Sequence, residues 1–220
     1  MKTLPRVVLF WLVLLVAPLA KAAEPVILVL GDSLSAAFGM PLEQGWVSLL
    51  QQRLRASGLP HRVVNASISG DTTRGGLARL PDALARHRPD IVILELGGND
   101  GLRGLPLAEM EKNLAAMIGL SRAAGARVVL VEMRIPPNYG PVYSEKFRAV
   151  YADLARRHDL PLVPFFLDGV ATDAALMQED GIHPRADAQA RLLDNVWPTL
   201  EPLLEEAATT EPADGPHHSG

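Results

Sequence analysis

The sequence contains no cysteine in its 220 residues, and this absence removes several chemistries at once. The chain has no disulfide framework, no catalytic thiol and no processed cysteine to which a lipid could be attached. Charged residues make up 21% and hydrophobic residues 48% of the chain, which is the balance of a globular protein. The length suits one domain with its own hydrophobic core rather than two.

The chain also has fewer basic residues than acidic ones. The 21 lysine and arginine residues are outnumbered by 25 aspartate and glutamate residues, so the formal net charge at pH 7 is −4. A protein that binds nucleic acid needs a basic stripe to neutralise phosphates. We therefore expect no nucleic-acid partner.

The N-terminal apolar run, residues 7–20, spans 14 residues, fewer than the roughly 20 that a membrane-spanning helix needs. Lys2 and Arg6 precede the run, and the small-x-small sequence Ala20-Lys21-Ala22 follows it. This pattern predicts a signal peptide over residues 1–22, cleaved near Ala22. The expected product is a periplasmic or secreted protein without a stable membrane anchor, and the alternative is an uncleaved anchor. Cleavage removes three basic residues and no acid, which lowers the formal charge to −7.

Five short apolar runs are predicted to form buried β-strands. They cover residues 26–30, 62–65, 91–95, 127–132 and 162–165. Segments with helical spacing lie between them, and alternating strands and helices form parallel sheets with right-handed crossovers. The sequence therefore predicts an α/β fold, a three-layer α/β/α sandwich with a five-stranded parallel sheet.

The domain is expected to span residues 24–204, with a last helix over residues 186–204. The polar, acidic residues 205–220 that follow predict a disordered tail. We expect the folded chain to be a monomer.

The first predicted strand leads directly into Gly31-Asp32-Ser33, which places Ser33 where a strand meets a helical turn. The amides and the dipole at the start of a helix stabilise a developing negative charge, so Ser33 is a candidate nucleophile. Serine is also a favourable helix N-cap, and the tripeptide alone does not separate the two roles. The segment lacks the second glycine of G-x-S-x-G, which disfavours the α/β-hydrolase family.

Two further strand ends carry a glycine and an asparagine. Gly70 follows the second strand and has no side chain to shield its backbone N–H from a substrate oxygen. Asn99 follows the third strand and presents a neutral amide donor of the kind that an oxyanion needs. Both residues also have a plainer explanation, because glycine and asparagine are common in loops and turns.

Asp180 and His183 stand just before the last predicted helix, in a D-x-x-H spacing. A three-residue spacing in a turn puts both side chains on one side, so the carboxylate can hold one imidazole N–H. The other ring nitrogen is then free to accept a proton. A metal-ligand pair or a surface contact explains the same spacing equally well.

These four segments follow one another in the order of the signature blocks of the SGNH (GDSL-type) hydrolase superfamily, which the chain strongly resembles from about residue 25 to residue 204. The resemblance implies a flavodoxin-like SGNH hydrolase fold, with Ser33 as nucleophile, His183 as its base and Asp180 orienting that base. It also implies an oxyanion hole made by the backbone amide of Ser33 together with Gly70 and Asn99. No metal and no cofactor are expected.

Residues 64–72 and 136–140 are similar to the bacterial periplasmic acyl-thioesterase, lysophospholipase and arylesterase subgroup. The resemblance thus implies a serine esterase that hydrolyses carboxylic esters and thioesters through an acyl-enzyme intermediate. The substrates it implies are small molecules, namely aryl esters, acyl thioesters and lysophospholipids. The choice between ester and thioester stays open, because both pass through the same oxyanion.

Hydrophobic residues in two loops are candidates for binding the acyl group. They are Leu102 and Leu105 after the third strand, and Pro136, Pro137, Tyr139 and Val142 after the fourth. The competing explanation is that these residues are ordinary hydrophobic residues of surface loops.

Two other functions remain open at this point. Asp32, Asp71 and Asp100 stand at strand ends and, with His183, suggest a Mg²⁺-dependent phosphohydrolase, although that reaction gives Asn99 no role. A non-catalytic, flavodoxin-like binding module is the second alternative, because the order of layers does not by itself imply catalysis.

Overall fold

The apolar runs of the sequence form one parallel sheet in the computed structural model, which describes residues 24–209. The strands are β1 (Val26–Gly31), β2 (Arg62–Asn65), β3 (Ile91–Glu95), β4 (Arg127–Val131) and β5 (Leu162–Val163). They are hydrogen-bonded in the order β2-β1-β3-β4-β5, and every pair is parallel. The predicted five-stranded parallel sheet is confirmed.

Within residues 24–209, six α-helices connect and flank the strands. They are α1 (Trp46–Ala56), α2 (Thr73–His87), α3 (Gly98–Leu102), α4 (Leu107–Ala123), α5 (Pro141–His158) and α6 (Gln189–Thr209). Helix α1 packs against α6, while α2, α4 and α5 pack side by side as a second group. The sheet therefore lies between two helical layers, as the three-layer prediction requires.

The predicted strand ends differ from the structure where the chain turns away from the sheet. Strand β5 ends at Val163, two residues before the predicted end. Pro164 follows it, and proline has no backbone N–H to continue the ladder. Strand β4 likewise ends at Val131, one residue before the predicted Glu132.

The two central strands set the position of the site. Every residue of β1 and β3 is buried, which matches their continuous apolar sequences. Strand β2 lies on one side of β1 and β3 on the other, so the direction of the crossovers reverses between them. In open α/β sheets ligands bind at this switch point, outside the carboxyl ends of the strands. Ser33 follows β1 at this edge, and Asn99 follows β3.

The two ends of the chain are only partly described. Helix α6 runs to Thr209, beyond residue 204, the predicted end of the last helix. Residues 210–220 and the predicted signal peptide lie outside the described residues. Within residues 24–209, no helix is both long and apolar enough to cross a membrane.

Candidate active site

Ser33 is held in a tight turn directly after β1. The N–H of Ala36 donates to the carbonyl of Asp32 at 2.9 Å, which closes a single helical turn around Ser33. The turn does not continue into a helix, because Ala37 adopts a positive φ of 56°, and α1 begins only at Trp46. The strand thus meets a single helical turn, as predicted, and Ser33 is buried at the sheet edge.

The structure brings Ser33, His183 and Asp180 into one hydrogen-bonded chain. His183 Nε2 lies 2.8 Å from Ser33 Oγ, although the two residues are 150 positions apart in sequence. On the other side of the ring, His183 Nδ1 lies 2.6 Å from Asp180 Oδ2. A neutral imidazole that donates from Nδ1 to a carboxylate has its Nε2 lone pair directed at the hydroxyl, so this arrangement can remove the hydroxyl proton.

Asp180 stays ionised because several donors converge on it. Its Oδ1 accepts the backbone N–H groups of Ile182 at 2.9 Å and of His183 at 3.0 Å. Partial burial by itself raises the pKa of Asp180, but the hydrogen bonds from the His183 backbone and ring and from Ile182 outweigh it and lower the pKa to about 2. A carboxylate is therefore present beside the imidazole across the physiological pH range.

The loop that carries His183 is fixed from both sides. The His183 carbonyl accepts the backbone N–H of Gln178 at 2.7 Å, and an antiparallel bridge joins Met177 to Pro184. The Phe38 ring lies over the imidazole, with the two ring centroids 4.3 Å apart. These contacts hold the ring in place in a loop that is otherwise exposed.

Gly70 and Asn99 both lie at the same sheet edge. Gly70 has φ of +78°, which favours glycine, and its N–H donates no hydrogen bond within residues 24–209. Asn99 lies in the first turn of the short helix α3. Gly97, with φ of +115°, makes the sharp bend that starts this helix.

Two buried carboxyl groups, Asp32 and Glu95, lie next to the Ser33 turn, and no motif in the sequence points to Glu95. Asp32 accepts hydrogen bonds from Leu34 N–H and from the Asn99 amide, each at 3.0 Å. Burial raises the pKa of Asp32 to about 6, although both hydrogen bonds act in the opposite direction. Glu95 accepts from Ser35 Oγ at 2.7 Å and from Asp32 N–H at 3.2 Å. Burial, reinforced by the Asp32 charge, raises the pKa of Glu95 well above its ordinary value.

A cleft of about 430 Å³ opens beside Ser33 and His183. Three of the six residues predicted to bind an acyl group line it: Leu102, Pro136 and Pro137. The other three predicted residues are not among those that line it. Tyr139 instead turns its hydroxyl to the Leu102 carbonyl at 2.8 Å, and Leu105 and Val142 are exposed to solvent.

The apolar floor of the cleft comes from residues that the sequence analysis missed. Its main members are Met133, Ile135, Phe165, Leu167 and Met177. Met133 and Ile135 follow β4 with one residue between them, so the alternation of a strand continues past its last paired residue and directs both side chains inward. That alternation was the signal available in the sequence.

The three aspartates of the phosphohydrolase alternative have separate partners. Asp71 forms an ion pair with Arg79 at 2.7 Å, and Asp100 accepts from the N–H and the hydroxyl of Thr73. Asp32 faces Asn99. Among the described residues no three acidic or histidine side chains form a group that could hold a metal ion. Each of the three aspartates therefore already has a partner within the protein.

Comparison with known proteins agrees with this geometry. The model of the GDSL-like lipase/acylhydrolase family matches residues 29–191. The chain belongs to this family. It is 57% identical to esterase TesA of Pseudomonas aeruginosa over 184 residues, which cover 84% of this chain and 92% of that protein. It is 45% identical to thioesterase 1/protease 1/lysophospholipase L1 of Escherichia coli over 183 residues, 83% of this chain and 86% of the relative.

Solved structures of family members share the fold. The crystal structure of TesA superposes with a TM-score of 0.80 at 57% identity, over 81% of this chain and 99% of that one. The esterase EstA of Pseudoalteromonas sp., inhibited by monoethylphosphonate, superposes with a TM-score of 0.79 at 42% identity, over 83% of this chain and 100% of that one. The SGNH hydrolase fold that the sequence predicted is thereby confirmed.

Proposed function

We propose that the protein is a serine esterase that hydrolyses carboxylic esters and thioesters of small molecules. The observation that carries the proposal is the chain of contacts from Ser33 Oγ to His183 Nε2 at 2.8 Å and from His183 Nδ1 to Asp180 at 2.6 Å. These contacts lie at the mouth of an apolar cleft, so a carbonyl carbon bound there is within reach of the hydroxyl.

The reaction proceeds in two acyl transfers. His183 Nε2 takes the proton of Ser33 as Oγ forms a bond to the carbonyl carbon, and Asp180 stabilises the imidazolium. The tetrahedral intermediate collapses, the leaving group takes the proton from His183, and the acyl group stays on Ser33. Water then attacks the acyl-enzyme by the same proton transfers, which releases the acid and restores the hydroxyl.

Three donors stabilise the oxyanion in this proposal: the backbone N–H of Ser33, the backbone N–H of Gly70 and the side-chain amide of Asn99. The negative charge exists only in the tetrahedral state, so these donors lower the barrier rather than strengthen substrate binding. Replacing Asn99 with alanine is therefore expected to lower kcat about 100- to 1000-fold with little change in KM. A near-wild-type rate for that variant removes Asn99 from the oxyanion hole.

The cleft indicates an acyl group with an apolar chain as the substrate. Met133, Ile135 and Phe165 line the same cleft as Ser33 and give the acyl chain an apolar surface. Relatives carry the names arylesterase, from Vibrio mimicus, and thioesterase 1/protease 1/lysophospholipase L1. We extend aryl esters, acyl thioesters and lysophospholipids to this chain as its proposed substrates.

The direct test is a matched substrate panel with wild-type protein and the Ser33→Ala variant. We expect wild type to hydrolyse p-nitrophenyl esters, acyl thioesters and lysophospholipids, and Ser33→Ala to lose about a millionfold in kcat while it stays folded. A Ser57→Ala variant, at an exposed serine after α1, serves as the control and is expected to behave as wild type. Labelling by a fluorophosphonate is expected in wild type and in the control only. If Ser33→Ala hydrolyses these substrates at the wild-type rate, the proposal is contradicted.

The acyl cleft is tested with two leucines that lie three residues apart, Leu102 at the end of α3 and Leu105 in the segment that follows it. Leu102 lines the cleft, and Leu105 lies outside it. Leu102→Ala is expected to shift the preferred acyl chain length and to change kcat/KM for the longest esters by about 10-fold, which corresponds to the loss of one to two buried methylene contacts. Leu105→Ala is expected to leave the chain-length profile unchanged. A shift in Leu105→Ala alone contradicts this assignment of the cleft.

Export and assembly complete the proposal. The predicted signal peptide, residues 1–22, places the mature enzyme in the periplasm or outside the cell, where it acts as a monomer without a stable membrane anchor. N-terminal sequencing of the exported protein is expected to give a start near Ala23. Light scattering is expected to give the mass of one chain.

A further inference from the structure

The side chain of Arg103 contacts both Gly70 and Asn99, which are the two proposed oxyanion donors other than Ser33. Its Nη2 donates to the carbonyl of Gly70 at 2.9 Å and lies 3.5 Å from Asn99 Oδ1. Arg103 follows directly after α3, and its own backbone N–H donates to the Asn99 carbonyl at 3.1 Å. One guanidinium thus joins the loop after β2 to the helix after β3.

The contacts around Asn99 distinguish the two ends of its side-chain amide. Asp32 accepts from Nδ2 at 3.0 Å on one side, and the Arg103 guanidinium faces Oδ1 on the other. If the amide were flipped, its NH2 group would face a guanidinium, which has only donors, and its oxygen would face a carboxylate. Asp32 and Arg103 therefore both favour the orientation in which the NH2 group faces the Ser33 side of the site.

Gly70 needs a restraint of its own. It is exposed, has no side chain and adopts a positive φ, so fewer contacts restrain its backbone than that of a residue with a buried side chain. The hydrogen bond from Arg103 to the Gly70 carbonyl, together with the one from Asp71 N–H to the Ile68 carbonyl at 3.1 Å, holds the peptide group that follows Gly70 and so limits rotation about Gly70. Donors that are already oriented need no rearrangement when charge develops, which is the main source of stabilisation in an oxyanion hole.

We propose that Arg103 is a positioning residue of the oxyanion hole, which fixes Gly70 and Asn99 relative to each other. The inference rests on the proposed ester hydrolysis and adds to it a residue that touches neither the acyl group nor Ser33. Because Arg103 is exposed and its hydrogen bonds compete with water, its contribution is smaller than that of the donors themselves.

The test uses Arg103→Met, which removes the donors and keeps an unbranched side chain, with p-nitrophenyl acetate as substrate. The acetyl group is too short to report on the acyl cleft, so changes in the cleft do not affect the result. We expect kcat to fall about 10-fold and KM to stay within about 2-fold. Arg86→Met, in the last turn of α2, makes the same change of charge away from the site and is expected to match wild type.

A double-mutant cycle distinguishes positioning from a direct effect of the positive charge. If Arg103 acts through Asn99, Arg103→Met is expected to lower kcat only about 2- to 3-fold in an Asn99→Ala background, where Gly70 alone remains to be positioned. A full 10-fold loss in that background overturns the inference, because the guanidinium would then act independently of Asn99. An unchanged kcat in the single variant overturns it as well.

Two further measurements separate this inference from its alternatives. A purely structural role is expected to lower the melting temperature of Arg103→Met and to leave its kcat unchanged after correction for the folded fraction, which also overturns the inference. If Ser33→Ala retains the wild-type rate, the proposed function fails and the inference fails with it. If Ser33→Ala is inactive and the cycle is additive, only the role of Arg103 fails.

Discussion

Asp180 and Asp32 lie within the same site, and their surroundings move their pKa values in opposite directions. Asp180 is exposed and receives hydrogen bonds from His183 and Ile182, which lower its pKa to about 2 despite partial burial. Asp32 is buried beside Ser33, and burial raises its pKa to about 6. One residue type can therefore serve two purposes in one site, according to how many donors and how much water surround it.

The two aspartates also affect stability in opposite pH ranges. Because the folded state lowers the pKa of Asp180 from 3.8, its contribution to stability is present above that value and is lost as the pH falls towards 2. The folded state raises the pKa of Asp32, so its contribution is present below 3.8 and is lost as the pH rises through about 6. At neutral pH the fold thus carries an unfavourable buried charge at Asp32, next to the residue proposed as nucleophile.

Of the two aspartate substitutions, Asp180→Asn is expected to cause the greater loss of activity. In Asp180→Asn the side-chain amide offers a donor to His183 Nδ1, which favours the imidazole tautomer with its proton on Nε2, where it cannot accept from Ser33. We expect kcat for p-nitrophenyl esters to fall about 10,000-fold while the fold is kept. Circular dichroism checks the fold, and steady-state kinetics check the rate. A loss of less than 10-fold means that Asp180 does not orient the imidazole.

The corresponding change at Asp32 is expected to have a smaller effect of a different kind. The Asp32 carboxylate accepts from Leu34 N–H and from the Asn99 amide, one on each oxygen, and asparagine has only one acceptor oxygen. Asp32→Asn therefore leaves one of these donors facing an NH2 group. We expect kcat to fall about 10- to 100-fold through misorientation of Asn99, with KM little changed. Equal losses in Asp32→Asn and Asp180→Asn would show that the two carboxyl groups do not have distinct roles.

The sequence was sufficient to predict the parts of the site that lie at the ends of buried strands. Ser33 and Asn99 follow β1 and β3, whose apolar sequences predicted both the strands and the sheet edge at which they end. The D-x-x-H spacing was enough to predict the contact between Asp180 and His183, because the two residues are only three positions apart. The approach of His183 to Ser33 came from family resemblance, since no local rule joins residues 150 positions apart.

The remaining features depend on how loops pack, which the sequence pattern does not determine. Leu105 and Tyr139 are apolar residues of the correct loops, yet one is exposed and the other turns its hydroxyl towards the Leu102 carbonyl. The raised pKa values of Asp32 and Glu95 are caused by burial under Ser33 and Ser35, which only the folded structure provides. Arg103 was not recognised because its two partners come from different strand ends.

Replacing Glu95, the second buried carboxyl group, is expected to have little effect on stability at pH 7. Burial and the Asp32 charge raise its pKa well above the ordinary value, so the fold favours the neutral, protonated form of the side chain. Glutamine mimics a neutral acid, and its oxygen can still accept from Ser35 Oγ and Asp32 N–H. We expect Glu95→Gln to change the free energy of unfolding at pH 7 by no more than about 1 kcal/mol.

The sign of the difference is expected to depend on pH. A raised pKa means that Glu95 stabilises the fold while it is protonated and that this contribution is lost as the pH rises through the folded-state value. Glutamine does not titrate, so Glu95→Gln should become more stable than wild type in alkaline solution. Urea unfolding at several pH values measures this, with Glu201→Gln on the exposed face of α6 as the control. If Glu95→Gln is several kcal/mol less stable at pH 7, Glu95 is ionised there, and the buried end of β3 carries a charge rather than a neutral acid.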